Sequence, residues 1–224
     1  MITFTMFDWQ LQNTSAGLTL KKNAVNKTLC IDFTDKKISY RRQHSSFHQE
    51  AIIRAAGLKA NTQPILLDVT AGLGRDAFIL ASFGFHIHLL ERSPMIHALL
   101  DDALKRGLQN ETISDIVQRM HLIHTDSIHF LEHRTIVPDI IFMDPMFPSR
   151  KKSALPSLEM QIFHEVIGND TDASFLFEKA LACASERVVI KRPRLSPFMC
   201  DRKPHFSLTG KSSRFDVYLI RKSE

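Results

Sequence analysis

The sequence contains few cysteines, no long apolar run and no recognisable export signal. Its three cysteines, Cys30, Cys183 and Cys200, are scattered and never stand at a Cys-x-x-Cys spacing. This argues against a disulfide framework or a zinc site and favours a reducing compartment. No apolar run approaches the roughly 20 residues that cross a bilayer, and the opening MITFTMFDWQLQN lacks the pattern of a signal peptide. We therefore expect a cytoplasmic protein without a membrane segment.

Signatures of several enzyme classes are also missing. The sequence has no Gly-x-Ser-x-Gly elbow of a serine hydrolase and no Walker loop of a nucleoside triphosphatase. Its 11 histidines have no ligand partners at metal spacing, so we interpret them as surface or core residues and expect no metal.

The composition is that of an ordinary globular enzyme, with 224 residues, 44% hydrophobic and 24% charged. This length suits one α/β domain with a buried core. The net charge of +5 is unevenly distributed: Lys21 to Arg54 carries eight Lys/Arg against three acids, and Arg187 to Lys222 carries ten against two. Basic flanks around a more balanced centre suit a polyanionic substrate, although a solvated basic surface would give the same counts.

Two regions are predicted from the pattern along the chain. Residues 1–60 read as a small extension, with short strands and one helix that ends at Gly57. Its predicted strands lie near Leu18–Leu20, Leu29–Phe33 and Lys37–Tyr40, and its helix spans Phe47–Ala56. Residues 61–224 read as the catalytic domain.

Strands and helices alternate in this second region. The predicted strands are Ile65–Val69, Phe85–Leu90, Met120–His124, Asp139–Met143, Arg187–Ile190 and Phe215–Ile220, and the helices are Gly74–Phe83, Pro94–Arg106, Leu158–Ile167 and Phe175–Ser185. Unbroken apolar strands separated by helices indicate a parallel sheet covered on both faces. We therefore predict a doubly wound, Rossmann-like α/β fold that binds its ligands at the carboxyl ends of the strands.

A glycine loop follows the first of these strands and opens a helix. Gly72 and Gly74 let the backbone turn tightly and approach a ligand closely. Glu91 ends the next strand, 19 residues after Gly72, where a carboxylate can accept both hydroxyls of a ribose. Loop and acid together predict a nucleoside-type cofactor.

The identity of that cofactor has two candidates. Gly72-x-Gly74-x-x-Ala77 satisfies the dinucleotide fingerprint, so NAD remains possible. Asp68 and Asp76, however, place carboxylates where a pyrophosphate would lie, and carboxylates suit the cationic sulfonium of S-adenosylmethionine (SAM) better. Asp126 follows a third strand, at the point where methyltransferases commonly bind the adenine amino group.

The fourth predicted strand leads into Asp144-Pro145-Met146-Phe147-Pro148. This segment resembles the (Asp/Asn)-Pro-Pro-aromatic motif of methyltransferases that act on amino groups attached to a ring. Such an amine is a poor nucleophile because its lone pair is delocalised. Hydrogen bonds to Asp144 and to the Pro145 carbonyl would localise the lone pair, and Phe147 would stack on the base. We predict catalytic roles for Asp144, Pro145 and Phe147.

Basic residues stand directly after two strand ends, on the same predicted rim as the active site. We expect them to hold phosphates on either side of the target base. The candidate RNA-binding residues are Arg150, Lys151, Lys152, Lys191 and Arg192.

With these motifs taken together, the sequence resembles the RsmJ family of small-subunit ribosomal RNA guanine-N2 methyltransferases. The resemblance covers about Ile31 to Tyr218 and rests on DVTAGLGRDAFILAS, LLERSP, DPMFP followed by KSAL, VVIKRP and RFDVY. It implies a class I methyltransferase fold, with an antiparallel late strand, that uses SAM. It also implies cofactor contacts from Arg75, Asp76, Glu91, Arg92, Asp126, Ser127 and Asp144.

The resemblance implies that the substrate is 16S rRNA, either free or in the small ribosomal subunit or an assembly intermediate. Three alternatives stay open on the residues alone. Adenine N6 is another acceptor for the same motif chemistry. A nicotinamide oxidoreductase would share the glycine loop and Glu91, and a non-catalytic RNA-binding protein would use only the basic flanks.

Overall fold

The computed structural model describes residues 5–6, 9–22, 27–44, 46–57, 62, 64–134, 136–146, 161–162, 165–168, 170–210 and 213–220. The strands are β1 (Thr5–Met6), β2 (Trp9–Thr14), β3 (Gly17–Lys22), β4 (Lys27–Cys30), β5 (Ile65–Asp68), β6 (His86–Glu91), β7 (Met120–His124), β8 (Ile140–Met143), β9 (Arg187–Pro193), β10 (Phe206–Thr209) and β11 (Ser213–Leu219). The α-helices are α1 (Lys36–His44), α2 (Ala51–Ala56), α3 (Arg75–Ser82), α4 (Pro94–Leu108), α5 (Ser114–Val117), α6 (Ser127–His133) and α7 (Ala173–Cys183).

The central sheet has seven strands in the order β10-β11-β9-β8-β5-β6-β7. The five strands from β9 to β7 run parallel, whereas β11 runs antiparallel to both of its neighbours. The four residues of β8 are all buried, as expected for a strand covered by helices on both faces. The predicted doubly wound fold is thus confirmed, and the carboxyl ends of β5, β6 and β8 meet at one edge of the sheet.

Capping residues begin the helices that follow these strand ends. Ser93 caps α4 by accepting a hydrogen bond from the Ile96 N–H, and Pro94 occupies the first turn. Gly74 caps α3 in the left-handed conformation with φ 67°. A Cβ at Gly74 would lie 2.8 Å from Leu100 Cδ1, so a side chain at this position would meet both backbone strain and a clash.

The N-terminal strands form a separate antiparallel sheet of four strands, β1 to β4. Trp9 and Leu20 of this sheet belong to the same buried cluster as Phe78 of α3. Phe33 stacks on Phe78 with ring centroids 4.8 Å apart, and Asp102 of α4 accepts a hydrogen bond from the Leu18 N–H. The N-terminal sheet therefore shares its hydrophobic core with the catalytic region.

Three expectations about local structure need comment. The strand predicted at Lys37–Tyr40 is wrong, because these residues lie in α1; Asp35 begins that helix by accepting a hydrogen bond from the Lys37 N–H. Of the helix predicted at Leu158–Ile167, residues 161–162 and 165–166 are helical, and residues 158–160 and 163–164 lie outside the described residues. None of the helices in the described ranges combines the length and apolar composition that a bilayer crossing requires.

Candidate active site

The loop after β5 is held in place by backbone contacts with the neighbouring strands. The Val69 N–H donates to the Phe142 carbonyl, and the Ala71 N–H donates to the Leu90 carbonyl. Asp68 turns back on the loop and accepts the Thr70 N–H at 3.0 Å. Gly72 adopts φ 53°, a conformation that side chains disfavour. These contacts leave the loop backbone at the edge of the sheet, next to the end of β6.

Glu91 at the end of β6 joins two segments through its carboxylate. Oε2 accepts the Gly72 N–H at 3.0 Å, and Oε1 accepts the Ser93 N–H at 2.7 Å. The residue is only 6% exposed, and this burial raises its pKa to about 7. Each carboxylate oxygen has two lone pairs, so each retains one acceptor site toward a ligand.

Negative charge accumulates in this region. Asp68 is 2% exposed, and its burial, together with the nearby charges of Asp76, Asp144 and Glu91, raises its pKa to about 7. Buried carboxylates that repel one another are stabilised by a cation placed among them. The electrostatics of this region therefore favour a positively charged ligand over a pyrophosphate.

A row of alternating charges crosses the site from the N-terminal region to the segment 144–148, which we call the substrate motif. Arg41 Nη2 contacts Glu50 at 2.6 Å and Arg41 Nη1 contacts Asp76 at 2.8 Å. Lys191 Nζ then lies 2.7 Å from Asp76 and 2.8 Å from Asp144. Burial alone would raise the pKa of Asp76, but Lys191 and Arg41 hold it below its ordinary value. Lys191 is therefore directed into the site.

The protonation of Lys191 follows from the same geometry. Burial opposes its positive charge, yet the two carboxylates beside it raise the pKa of its ammonium above the ordinary value. Lys191 stays protonated at every physiological pH and is a fixed cation, unsuited to the role of general base.

The structure describes the first three residues of the substrate motif, Asp144, Pro145 and Met146. The Asp144 N–H donates to the Thr70 hydroxyl at 2.7 Å, and Pro145 is buried. Asp170 accepts the Met146 N–H at 2.6 Å, and its own N–H donates to the Met146 carbonyl. The motif is thus tied to the glycine loop on one side and to the segment before α7 on the other. Phe147 lies outside the described residues.

Arg92 and Asp126 lie at the outer side of the cleft. Arg92 forms ion pairs with Asp170 and Asp172. Asp126 caps α6 by accepting the N–H groups of Ile128 and His129, and its side chain is 45% exposed. The adjacent Ser127 hydroxyl donates to the Val69 carbonyl at 2.7 Å, which fastens the start of α6 to the glycine loop.

These elements enclose a cleft of about 230 Å³. It brings together every residue that the sequence predicts at the cofactor: Asp68, Gly72, Gly74, Arg75, Asp76, Glu91, Arg92, Asp126, Ser127 and Asp144. Lys191 also lines the cleft. No group of His, Cys, Asp and Glu side chains within the described ranges has the geometry of a metal site.

The structure describes two residues of the predicted basic rim, Lys191 and Arg192, and both are engaged within the protein. Lys191 faces Asp76 and Asp144, as described above. Arg192 is 6% exposed, and its guanidinium donates to the Pro197 carbonyl at 2.9 Å. The Lys191 side chain is 29% exposed, but its ammonium is paired with carboxylates, whereas Arg192 is buried. Alternation along β9 directs one into the cleft and the other beneath a loop. Arg150, Lys151 and Lys152 lie outside the described residues.

Three residues of the site were not identified from the sequence. Thr70 lies inside the glycine loop, and its hydroxyl between Asp68 and Gly72 is the sequence feature that could have identified it as a site residue. Asp170 follows no predicted strand, and Arg41 lies 35 residues before its partner Asp76. No sequence pattern connects those two positions to the site.

The chain matches a family model described as a SAM-dependent methyltransferase over residues 4–220. The chain belongs to this methyltransferase family. It is 43% identical over 214 residues to ribosomal RNA small subunit methyltransferase J of Pseudomonas savastanoi pv. phaseolicola, covering 94% of this chain and 80% of that protein. It is also 43% identical over 218 residues to the protein of the same name from Pseudoalteromonas atlantica, covering 94% and 84%.

A solved structure supports the same assignment. The SAM-dependent methyltransferase of Neisseria gonorrhoeae is 31% identical and superposes with a TM-score of 0.76, covering 96% of this chain and 84% of that one. The expected class of fold and the resemblance to the RsmJ family are confirmed. Family membership also decides between the two cofactors, and the cofactor of this methyltransferase is SAM.

The residues present fit this cofactor. SAM carries a sulfonium and an ammonium, and the cleft supplies buried carboxylates on Asp68 and Glu91 whose pKa values are raised to about 7 in their present surroundings. A Cβ at Gly74 would be strained and would clash, which preserves the close approach of the loop backbone. The acceptor sites left on Glu91 suit the ribose hydroxyls.

Proposed function

We propose that this methyltransferase transfers a methyl group to the exocyclic N2 amine of a guanosine in 16S rRNA, in the cytoplasm. The observation that carries the proposal is the surroundings of Asp144, whose carboxylate lies at the acid-lined cleft and is held by Lys191 at 2.8 Å. A fixed acceptor next to a SAM site is the group that an aromatic amine needs from the protein.

The nature of the substrate is supported by the relatives. Those described above are named ribosomal RNA small subunit methyltransferase J, and they share 43% of their aligned residues with this chain. The sequence resemblance to guanine-N2 enzymes indicates guanine as the target base and N2 as the atom that is methylated. The net charge of +5 is in keeping with a polyanionic partner.

The proposed chemistry rests on orientation. When bound, SAM supplies a methyl group that is already activated by the positive sulfur. Asp144 and the Pro145 carbonyl would accept hydrogen bonds from the amine and localise its lone pair. As the nitrogen–methyl bond forms, the sulfur–methyl bond breaks and S-adenosylhomocysteine is released, and the proton that the amine loses would pass to the Asp144 carboxylate and then to water. Holding the amine in line with the methyl group supplies much of the rate acceleration.

The neighbours of Asp144 support that role. Lys191 fixes one carboxylate oxygen and keeps its own proton, so it orients Asp144 without competing for the amine proton. Thr70 receives the Asp144 N–H, which ties the motif to the glycine loop. We propose that Phe147, the aromatic residue of the motif, stacks on the target base.

The proposed cofactor contacts follow from the cleft. Glu91 binds the ribose hydroxyls, Asp68 and Asp76 provide negative charge near the methionine portion, and Asp126 and Ser127 lie where the adenine amino group would bind. Arg75 and Arg92 complete the set. Because Arg92 is paired with Asp170 and Asp172, we propose that it shapes the cleft through these acids.

Methyl transfer to defined RNA tests the proposal. The purified protein is incubated with SAM carrying a labelled methyl group and either transcribed 16S rRNA or unmethylated small subunits. Nuclease digestion and mass spectrometry then identify the product nucleoside. We expect N2-methylguanosine at one position, and the better of the two substrates shows whether free rRNA or an assembled particle is recognised.

Other products would redirect the assignment. If the product is N6-methyladenosine, the proposed chemistry of the motif is retained but the target base is adenine. No label in RNA, with normal binding of S-adenosylhomocysteine, would refute the RNA substrate. An Asp144→Ala variant serves as the inactive control, since it removes both the acceptor for the amine hydrogen bond and the ion pair with Lys191.

A further inference from the structure

The loop that joins β9 to β10, residues 194–205, is exposed but firmly held, and we call it the anchored loop. Two guanidinium groups beneath it donate to its backbone. Arg214 Nη1 donates to the Arg194 carbonyl at 2.9 Å, and Arg192 Nη2 donates to the Pro197 carbonyl at 2.9 Å. Arg214 itself is held by Asp216, which is completely buried.

Further contacts fix the second half of the anchored loop. The Tyr218 hydroxyl donates to the Arg202 carbonyl at 2.9 Å. Met199 is buried in the core against α7, and the His205 N–H donates to the Val217 carbonyl. The loop is thus attached at its beginning, middle and end, which is unusual for a segment on the surface.

The backbone of the anchored loop is also strained. Cys200 and Asp201 have φ values of 50° and 53° and are the two non-glycine residues with positive φ among the described residues. Residues in such conformations persist where the surrounding structure enforces them, and they cluster at functional sites. The surrounding contacts therefore impose one particular shape on this loop.

The side chains that this shape presents to solvent are mainly cationic or apolar, and they include one acid, Asp201. Leu195 is 87% exposed and Phe198 is 36% exposed. Arg194, Arg202 and Lys203 are exposed as well. Arg202 has an acidic partner, Glu178, at 3.4 Å, in a pair of which both side chains are more than half exposed. Exposed pairs of this kind contribute little and exchange readily, so Arg202 remains available to another anion.

The anchored loop lies beside the active site. Arg194 follows Lys191 by three residues, a span of at most about 11 Å along the backbone, and Lys191 contacts Asp144. The loop also packs on α7 through Met199, and Leu176 of that helix lines the cleft. A ligand seated on the loop would reach the mouth of the cleft.

We propose that the anchored loop binds the sugar–phosphate backbone of the RNA next to the target nucleotide, through Arg194, Arg202 and Lys203, with Leu195 contacting a ribose or base. This inference rests on the proposed function and adds the surface that receives the substrate. The buried Arg192 and Arg214 position the loop and leave RNA contact to its exposed cations. A preformed loop loses little conformational entropy on binding, and phosphate contacts fix the register of a nucleic acid.

Salt dependence of RNA binding tests the proposal. The probe is transcribed 16S rRNA, and its affinity for the full chain is measured by fluorescence anisotropy over a series of salt concentrations. Each lost phosphate contact lowers the slope of log affinity against log salt by about 0.7–0.9. The Arg194→Ala/Lys203→Ala double variant is expected to lower the slope by about 1.4–1.8. Both changes leave the anchored backbone carbonyls in place.

A matched control removes two cations from the opposite edge of the sheet. Lys105 lies near the far end of α4 and Arg119 directly precedes β7, so neither is near the carboxyl ends of the strands. The Lys105→Ala/Arg119→Ala variant is expected to retain the wild-type slope. All variants are expected to bind S-adenosylhomocysteine as the wild type does, which verifies that the cleft is intact.

The outcomes separate this proposal from the proposed function. If the wild type methylates 16S rRNA and the Arg194→Ala/Lys203→Ala variant keeps its salt slope, the anchored loop is not an RNA surface and the enzyme assignment stands. An unchanged slope on free rRNA, combined with weaker binding to assembled subunits, would assign the loop to a ribosomal protein and overturn the RNA contact. If the wild type neither binds nor methylates rRNA, both proposals fail.

Discussion

Asp170 and Met146 are joined by two hydrogen bonds, one from the Met146 N–H to the Asp170 carboxylate and one from the Asp170 N–H to the Met146 carbonyl. The same carboxylate forms an ion pair with Arg92, just beyond the end of β6. A single acidic side chain therefore connects the cofactor side of the cleft to the segment that carries Asp144. We infer that Asp170 is a positioning residue for the substrate motif.

Substitutions at Asp170 should change turnover more than cofactor binding. Asp170→Ala removes the acceptor of the Met146 N–H, and a displacement of about 1 Å at the motif costs about 10²-fold in rate. Asp170→Asn keeps an acceptor and should restore most of kcat. The matched control is Asp172→Asn, which removes an Arg92 partner and leaves Met146 untouched. Equal losses of kcat in Asp170→Ala and Asp172→Asn would contradict the role of the Met146 contact.

Loss of Glu91 should weaken cofactor binding. Glu91→Ala removes a charged acceptor and two backbone contacts, so S-adenosylhomocysteine affinity should fall by about 1.5–3 kcal/mol. Calorimetry measures this change directly, and Glu111→Ala, at an exposed position, is the control. Unaltered affinity in Glu91→Ala would remove this carboxylate from the ribose site.

Cofactor binding should also depend on pH. Burial raises the pKa of Asp68 and of Glu91 to about 7, so both carboxyls gain negative charge as the pH rises from 6 to 8. The affinity for SAM should increase over this interval. S-adenosylhomocysteine has no positive sulfur and should show a smaller increase. Parallel titrations of the two ligands compare them, and equal pH dependence for both would argue against charge complementarity.

The stability of the ligand-free protein should change in the opposite direction. In the unfolded chain the two carboxyls ionise near their ordinary pKa values, whereas in the folded protein they keep their protons to about pH 7. Between the ordinary pKa values and about pH 7, the folded state thus binds more protons than the unfolded chain. The free energy of unfolding should therefore fall as the pH rises toward 7. Urea denaturation of the wild type and of Asp68→Asn measures the effect, and the variant should show a flatter profile.

Substitution of Lys191 should lower the rate of catalysis and leave the salt dependence of RNA binding unchanged. Lys191→Met frees Asp76 and Asp144 from their shared cation, so kcat should fall by about 10²-fold through misplacement of the motif. The slope of RNA affinity against salt should remain that of the wild type, because the ammonium contacts carboxylates. A lower slope with normal kcat would return Lys191 to the surface that binds phosphate.

The ion pair between Arg214 and Asp216 should be essential for stability. Asp216 is completely buried, so Arg214→Met leaves a buried carboxylate without its partner and should cost about 3–5 kcal/mol. Lys105→Met is the matched control, because its pair with Asp101 has side chains that are 71% and 42% exposed. We expect no measurable change in the control, and comparable midpoints for both variants in urea would contradict the structural role of Arg214.

Local patterns in the sequence were sufficient for six of the seven strands of the central sheet and for the cofactor loop, whereas the edge strand β10 was not predicted. Short apolar runs such as Ile140–Met143, alternating with helical segments, favour covered strands, and a glycine pair between a strand and a helix favours a nucleotide loop. The position of Glu91 at the cleft could be predicted because parallel strands end at the same edge. Each of these inferences depends on neighbours within about 20 residues along the chain.

The tertiary structure decided the direction of side chains and the contacts between distant segments. Lys191 and Arg192 read alike in the sequence, yet strand alternation and packing direct one into the cleft and bury the other under the anchored loop. Arg41 and Asp170 reach the site from elements that no motif marks. The segment from Lys37 to Tyr40 forms a helix because a capping acid outweighs a weak alternating pattern. Such outcomes depend on which surfaces meet when the chain folds, and a local pattern carries no information about those surfaces.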